Sequence, residues 1–429
     1  MTKQLNRSQA PVVKGFGELI IPQVRCVELD NGVPVTIYDS PDSLDVNRVS
    51  LMWDGGMCES PNASIASLTA DMLREGSTQH SGAEIAEMLE YNGSWLKSSV
   101  SSHHSAMVMY SLNSKVDEVF PLLNEIVTAP SFPERQTAVL REKMVARARV
   151  DMEKVEYHSA IANRQLVFGE KHPLSTSLTP EELALISVDD LREHHRRVYV
   201  PAGLQIYLSG RISPSIEDKL NDVFGCVAVD KPAQELNIIP FEQSLGKSRI
   251  IQRPGALQSA LKISLPTINR DNEDYLDLRL AVAALGGYFG SRLMTNIRED
   301  KGYTYGISAA QMGYREGACA HISTQCDNKY VYPLIEEIKK EIALLQSGGV
   351  SDDELVRLQN YMMTSLVSTL DSPFSIMEYY ETLRAIGVGV DYFESQLQSV
   401  KNITSDRIAQ MATRYLDIEN MYISIAGDI

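Results

Sequence analysis

The chain has 429 residues, of which 44% are hydrophobic, and it carries a formal net charge of −16 at neutral pH. A chain of this length buries more than one hydrophobic core, so we expect two or more domains. The strong negative charge argues against nucleic acid or an anionic membrane surface as the main partner.

Cysteine usage and the N-terminal stretch bear on the location of the protein. The five cysteines are scattered and form no CxxC pair (Cys26, Cys58, Cys226, Cys319, Cys326). An odd number of isolated thiols is typical of a reducing compartment rather than of a disulfide framework. The first 20 residues contain no apolar stretch of signal-peptide length, and the chain has no apolar run long enough to span a membrane. We therefore predict a soluble, cytoplasmic protein.

The first part of the chain alternates between short strands and helices. A hairpin is predicted over residues 24–38, because two alternating stretches meet at Asp30-Asn31-Gly32, which is typical of a short hairpin loop. Further strands are predicted at 48–53, 95–100, 106–112 and 204–209. Apolar periodicity and capping sequences predict helices at 65–74, 81–92, 116–128, 133–155, 158–168 and 189–198, with a short one from 179.

A less regular stretch separates this part from the second. Residues 213–245 mix polar and apolar residues with two prolines in the run CVAVDKPAQELNIIPFEQSLGK, which indicates a linker. Strands are then predicted at 261–265, 303–308, 307–312 and 318–324. Helices are predicted at 275–285, 291–299, 329–346 and 351–370.

The two parts end alike. The run LQIYLSG closes the first part and MYISIAG closes the second, and Asp190 in the preceding helix aligns with Asp406. This spacing indicates an internal duplication with a period of about 215 residues. We predict two homologous halves, residues 1–215 and 241–429, joined by a linker at 216–240. Each half is expected to have an α+β fold, a mainly antiparallel sheet with helices packed on one face.

A segment in the second half, GGYFGSRLMTNIREDKGYTY, combines a glycine-rich turn with a short helix and a strand. Gly286, Gly287 and Gly290 allow a sharp turn or a close approach to another chain. Ser291 is expected to cap the helix and Gly302 to end it.

The same segment places Arg298 at the end of the helix and Tyr305 on the following strand. A guanidinium binds peptide carbonyls or carboxylates, and a phenol can donate to a developing oxyanion. Spacing alone favours a structural role over a substrate-binding one. In that structural interpretation Arg298 pairs with Glu299 or Asp300, and the ring of Tyr305 packs against the protein.

Two segments carry a resemblance to a known family. GGYFGSRLMTNIREDKGYTYGISA in the second half and IASLTADMLREGST in the first resemble the pitrilysin and insulinase family of zinc metallopeptidases, which includes the processing peptidases. The resemblance covers nearly the whole chain. In that family the second half carries RExxGxxY, whose Arg and Tyr hold the substrate backbone and assist the oxyanion. The motif is intact here as Arg298, Glu299, Gly302 and Tyr305, so the resemblance favours a functional Arg298/Tyr305 pair.

The first half departs from the family pattern. Active members carry H-x-x-E-H on the corresponding helix, where two histidines bind zinc and the glutamate activates water. The resemblance puts these positions on Ser67, Ala70 and Asp71, and the distal acidic ligand near Arg147 or Ala148. One carboxylate cannot form the tetrahedral site that zinc needs. We therefore expect this chain to bind no metal cofactor and not to hydrolyse peptides alone.

The resemblance implies a division of labour between two chains. In bacterial two-subunit relatives one chain supplies the zinc site and the other supplies the Arg/Tyr pair. We predict a pseudoenzyme subunit, processing-peptidase-like, that lends Arg298 and Tyr305 to a homologous zinc-bearing partner for peptide hydrolysis. The expected complex is a heterodimer, or else a homodimer, with zinc in the partner and a peptide as substrate.

Two other functions stay open. One is a pseudoenzyme that binds peptides or serves as a scaffold without any role in catalysis, like the core subunits of respiratory complexes. The other is a metal-independent hydrolase, but the chain has no GxSxG elbow or similar nucleophile arrangement. Retention of RExxGxxY favours the catalytic complex over the scaffold, because a scaffold has no use for the motif.

Overall fold

The structure is a computed structural model, and it describes residue 17 and residues 19–429. The N-terminal stretch in which we predict no signal peptide therefore lies mostly outside the described residues. The described strands are β1 (Arg25–Glu28), β2 (Pro34–Asp39), β3 (Val46–Asp54), β4 (Trp95–Val100), β5 (His104–Leu112), β6 (Leu204–Gly210), β7 (Ser248–Gln252), β8 (Gln258–Thr267), β9 (Thr304–Gly313), β10 (Ala318–Asp327) and β11 (Tyr422–Gly427).

Helices fill most of the remaining chain. The described α-helices are α1 (Ala63–Met72), α2 (Gly82–Tyr91), α3 (Val116–Thr128), α4 (Glu134–Met152), α5 (Val155–Phe168), α6 (Pro180–Ala184), α7 (Val188–Val198), α8 (Pro214–Leu220), α9 (Tyr275–Gly286), α10 (Val331–Gly348), α11 (Asp352–Ser368), α12 (Pro373–Ile386), α13 (Asp391–Asn402) and α14 (Ser405–Tyr415). None of these helices is both long and apolar enough to cross a membrane.

The strands form two sheets with the same plan. The first sheet has the order β1-β2-β6-β3-β5-β4 and the second has β7-β11-β8-β10-β9. Without β1 the two orders correspond strand for strand. In each sheet the first strand of this common set pairs in parallel with the last strand in sequence, and the other pairs are antiparallel. The predicted α+β fold with two homologous halves is therefore confirmed.

One face of each sheet is covered by helices from the same half of the chain. On the first sheet Val49, Leu51 and Leu208 are fully buried in a core shared with α1, α3 and α7. On the second sheet Leu261 and Ile263 are buried in a core shared with α9, α10 and α14. At roughly 25 cal/mol per Å² of apolar surface, these two cores supply most of the free energy that favours folding.

The opposite face of each sheet receives one helix from the other half. α5 packs on β8 and β11, where Ser159 donates to the Ser424 carbonyl at 3.2 Å and Asn163 to the Tyr422 carbonyl at 3.2 Å. α12 packs on β2 and β6 and buries Met377 against the first sheet. The two halves are thus joined by a reciprocal exchange of helices as well as by the connecting chain.

Some elements differ from the sequence-based expectation. α8 lies at the start of the predicted linker, and its Ile216 and Leu220 are buried in the first core. β7, α12 and α13 were not predicted. β7 is a short edge strand, and α12 meets a surface of the other half that local periodicity does not reveal. The division of the chain at 215 and 241 stays a prediction.

Candidate substrate-binding site

The candidate site is built on the segment between α9 and β9, which begins with the glycines. A Cβ at Gly286 would lie 2.6 Å from the Cβ of Ala309, so only glycine lets α9 pack this closely on β9. A Cβ at Gly287 would lie 2.6 Å from the Cα of Ala283, whereas Gly290 has more room. The first two glycines serve close packing within the chain, and an approach to another chain stays a prediction.

The helix that follows is not the regular α-helix that we predicted. It contains a π-helical turn, Met294–Asp300, in which the Lys301 amide donates to the Asn296 carbonyl at 3.0 Å. The hydroxyl of Ser291 is buried and forms no hydrogen bond in the described residues, so the predicted side-chain cap is wrong. Gly302, with a φ of 63°, follows the turn as expected. π-Helical turns are rare and often occur at functional sites.

Tyr305 lies on a β-bulge. Between paired positions of β9 and β10, Tyr305 and Gly306 stand opposite the single residue Gln325. The Thr304 hydroxyl donates to the Gln325 carbonyl at 2.5 Å, and the Thr324 hydroxyl donates to the Gly306 carbonyl at 2.8 Å. The Tyr305 side chain is left 92% exposed. Because bulges re-aim side chains, this one leaves the phenol available to a ligand.

Arg298 lies on the π-helical turn with its guanidinium over the ring of Phe289. The distance from the guanidinium carbon to the ring centre is 4.6 Å, within the range of a cation–π contact. In the described residues Arg298 forms no ion pair and no side-chain hydrogen bond, with Glu299 and Asp300 included. The structural interpretation required an ion pair at Arg298 and a packed ring at Tyr305, and neither is present in this part of the chain.

Polar contacts with α10 hold the turn that carries Arg298. The Asn296 amide donates to Glu337 at 2.9 Å and to Glu341 at 2.6 Å. Lys301 pairs with Glu337 at 3.2 Å. The hydrogen bond from Asn296, followed by the contact with Lys301, lowers the pKa of Glu337. The turn is therefore anchored by an ionised carboxylate, which leaves Arg298 free to bind.

In the first half, α1 carries the positions at which active relatives hold zinc. The Ser67 hydroxyl donates to the Ala63 carbonyl at 3.1 Å, and Ala70 is buried in the core. Asp71 is exposed and accepts a hydrogen bond from Ser98 at 3.2 Å. These three positions supply one carboxylate and no imidazole.

The position of the distal ligand supplies no carboxylate either. Arg147 forms an ion pair with Asp151 at 2.8 Å, and Ala148 packs against the first core. Zinc needs about four nitrogen, sulfur or oxygen donors converging on one point. The residues at the degenerate motif do not fit this metal.

Another set of potential ligands occurs where the halves meet. Among the described residues the Cys58, His103 and Glu316 donor atoms lie within 4.8 Å of one another. His103 Nδ1 lies 2.7 Å from Glu59 and Nε2 lies 2.6 Å from Glu316. Burial alone would lower the pKa of His103, but these two carboxylates raise it to about 9. The imidazolium donates from both nitrogens to these carboxylates, so the group forms a buried ion cluster.

Two family descriptions match successive parts of the chain. "Insulinase (Peptidase family M16)" matches residues 46–179, and "Peptidase M16 inactive domain" matches residues 185–362. The chain belongs to peptidase family M16. The predicted resemblance to insulinase-type peptidases is thereby confirmed.

Individual M16 relatives are distant in sequence but cover most of the chain. The Bacillus subtilis protein named "Uncharacterized zinc protease YmxG" is 23% identical over 352 residues, which are 81% of this chain and 84% of that protein. The Helicobacter pylori "Non-peptidase homolog YmxG" is 21% identical over 406 residues, 92% of each chain. The crystal structure of a "peptidase M16 inactive domain" from Pseudomonas fluorescens superimposes with a TM-score of 0.86 at 21% identity, over 95% of this chain and 99% of that one.

These findings make the chain a peptidase-like M16 homologue. The sequence led us to Arg298, Tyr305 and the degenerate zinc positions, and the structure brings Arg298 next to Phe289. The sequence-based prediction does not include Phe289, although the two aromatic residues between Gly287 and Gly290 are a visible signal. The ion cluster around His103 had no signal in sequence, because its members come from distant segments.

Proposed function

We propose that this M16 homologue is the non-catalytic subunit of a zinc peptidase and supplies Arg298 and Tyr305 to a homologous, zinc-bearing chain. The observation that carries the proposal is a contrast between the halves. RExxGxxY is intact, with Tyr305 on an exposed bulge and Arg298 without an acidic partner among the residues that the structure describes. The zinc positions hold Ser67 and Ala70. Neither can replace a zinc-binding histidine, and neither can act as the base that activates water.

The chemistry of peptide hydrolysis explains why these two side chains are useful. As water adds to the scissile carbonyl, its oxygen gains negative charge, and a fixed donor lowers the barrier. The Tyr305 phenol is such a donor. The planar guanidinium of Arg298 binds neighbouring peptide carbonyls and holds the substrate in register. The partner chain contributes the metal and its bound water.

This division also determines the kind of complex. Two copies of this chain contain no H-x-x-E-H motif, so a homodimer lacks the group that activates water. We therefore propose a heterodimer in which zinc belongs to the partner and the substrate is a peptide. The cytoplasmic location stays a prediction.

The experiment is to search the same genome for a homologous chain that carries H-x-x-E-H, and to purify this chain and that one separately and together. We expect an unfolded fluorogenic peptide to be cleaved by the mixture and not by either chain alone, with loss of cleavage after chelation of the metal. If the zinc-bearing chain alone cleaves as fast as the mixture, this chain takes no part in catalysis and the scaffold function is supported instead.

A further inference from the structure

A cavity of about 300 Å³ lies beside Tyr305, between α5 and the second sheet. Its walls come from α5, β8, β9 and β10, and most of the lining side chains are polar or hydroxylic. They include Ser159, Lys262, Thr304, Tyr305, Ser323 and Glu156. The cavity therefore lies between α5, which the first half packs onto the second sheet, and the bulge that exposes the Tyr305 phenol.

Lys262 is a half-buried cation in this wall without an acidic partner. It lies on β8 between Ser323 of β10 and Ser424 of β11 in the pairing register. In the described residues its amine forms no ion pair and no hydrogen bond. Burial, followed by the nearby Arg164, lowers the pKa of Lys262. A cation taken partly out of water without compensation is costly, and an anion bound beside it would offset that cost.

Arg164 adds a second uncompensated positive charge. It lies on α5, five residues beyond Ser159 and outside the lining of the cavity, and its buried Nε has no hydrogen-bond partner in the described part of the chain. Burial lowers the pKa of Arg164 as well. Glu156 is the acid among the lining residues, but it is exposed and forms no ion pair with Lys262. In a chain of net charge −16, Lys262 in the cavity wall and the nearby Arg164, neither of which forms an ion pair with a described residue, make this place locally positive.

We propose that this cavity binds a carboxylate group of a peptide, with Lys262 as its charged donor and Ser323 and Tyr305 beside it. This inference rests on the proposed function, since it assigns the substrate class for the same site. The carboxylate is either the C-terminus of the peptide or an aspartate or glutamate side chain. Both present one negative charge and two acceptor oxygens to the same donors.

The chemistry of the walls favours a single carboxylate over larger anions. Lys262 is the one cationic residue among the lining residues, and a single positive charge matches a monoanion. The exposed Glu156 and the negative charge of the whole chain repel a polyanion such as a nucleic acid. The neighbouring bulge at Tyr305 leaves the rest of a peptide room to continue along the edge strand β9.

The test measures binding of N-terminally labelled, unstructured peptides to the full chain by fluorescence anisotropy. The probe peptide has one glutamate and a free C-terminus. Its variants carry glutamine, a C-terminal amide, or both, so they distinguish the two sources of the carboxylate. Because a hydrogen bond to a charged group contributes about 1.5–3 kcal/mol, we expect the peptide without any carboxylate to bind about tenfold or more weakly.

Substitutions at Lys262 decide whether the cavity is responsible. Lys262→Met and Lys262→Gln should abolish the difference between the peptides, and Lys262→Arg should retain it. Lys401→Met, at an exposed lysine on α13, is the matched control and should behave as wild type. Thermal unfolding adds an independent readout, because Lys262→Met removes a half-buried unpaired charge and should leave the melting temperature unchanged or raised.

The proposal is overturned if no peptide binds, if all peptides bind equally, or if Lys262→Met and Lys262→Gln keep the preference for a carboxylate. These results are distinguishable from failure of the proposed function. Cleavage by the mixed chains without carboxylate preference leaves the proposed function standing and removes this inference. Preferential binding without cleavage in any mixture does the reverse and supports a peptide-binding protein.

Discussion

His103 of the first half and Glu316 of the second half lie 2.6 Å apart, measured from Nε2 to Oε1, with side chains only 4% and 1% exposed. Glu59 holds the other imidazole nitrogen at 2.7 Å and also accepts from the backbone amide of Gly56. The contact joins the residue before β5 to the turn between β9 and β10. A buried imidazolium between two carboxylates thus connects the two halves.

This cluster predicts a pH dependence of stability. The folded pKa of His103 is raised to about 9 from an ordinary value of 6.5. Its stabilising contribution is therefore complete below about pH 6.5 and is lost as the pH rises to about 9. A shift of this size corresponds to on the order of 3 kcal/mol. Denaturant unfolding of wild type should show stability falling across this window, and His103→Gln should remove that fall. An unchanged pH slope in the variant would contradict the assignment.

A second contact between the halves predicts a difference between two neighbouring glutamates. Arg48 on β3 is 2% exposed and bonds Glu381 of α12 through both terminal nitrogens, at 2.5 and 3.1 Å. Glu381→Ala leaves this guanidinium buried and unpaired, which typically costs about 3–5 kcal/mol. Glu378 is 57% exposed and 3.7 Å from Nε, so Glu378→Ala should cost less than about 1 kcal/mol. Equal losses of unfolding free energy for the two variants, measured by urea unfolding, would show that the Arg48–Glu381 pair contributes no more than the exposed Glu378.

Tyr305→Phe removes one hydroxyl from the proposed oxyanion donor. Loss of such a donor typically reduces turnover by about 100- to 1,000-fold, so cleavage by the reconstituted pair should fall by that amount. Because the side chain is 92% exposed, complex formation and thermal stability should be nearly unchanged. Tyr332→Phe, at another exposed tyrosine, is the matched control. Undiminished cleavage by Tyr305→Phe would contradict the proposed oxyanion role of the phenol and would support the scaffold function.

Arg298→Ala should affect substrate affinity as well as turnover. A side chain that holds peptide carbonyls acts in the ground state and in the transition state, so we expect KM to rise and kcat to fall in steady-state assays of the pair. Arg298→Lys should rescue little, because an ammonium lacks the planar fork that matches two acceptors and stacks on Phe289. Full rescue by lysine would indicate that only the positive charge matters.

The degenerate zinc positions predict the metal content of the purified chain. Ser67, Ala70 and Asp71 on α1 and Arg147 on α4 cannot assemble four donors, so dialysis against a weak chelator should leave well below about one zinc per chain. Elemental analysis checks this, with the zinc-bearing homologue treated in parallel as the positive control. Close to one zinc per chain after dialysis would refute the expectation.

Local structure was largely predictable because its signals are local. Helices begin after Ser81, Thr179 and Ser351 as predicted, and each of these residues forms a capping box in which its hydroxyl accepts from the third amide of the helix. The hairpin at Asn31-Gly32 forms between β1 and β2. α12 was missed because its partner surface is β2 and β6, far earlier in the chain. Its apolar face has no partner that the local sequence identifies.

The candidate site was predictable in its residues and not in its geometry. The RExxGxxY motif and the loss of the zinc ligands can both be read directly from the sequence. The motif is enough to identify Arg298 and Tyr305. The π-helical turn, the bulge at Tyr305 and the stacking of Phe289 on Arg298 were not visible. Such features depend on hydrogen bonds to neighbouring strands and helices, so propensity within the segment does not specify them.

The sequence by itself determined the family, the duplicated α+β halves and the loss of the zinc-binding residues. Motifs indicate the family and the lost zinc site, and an internal repeat indicates the duplication. Only the tertiary structure decided how the halves are joined and which charges lack partners. His103 meets Glu316 across 213 positions of chain, and Lys262 meets α5 across the exchange of helices. Contacts between residues so far apart form because each sheet packs against a helix from the other half. Local sequence patterns do not indicate that arrangement.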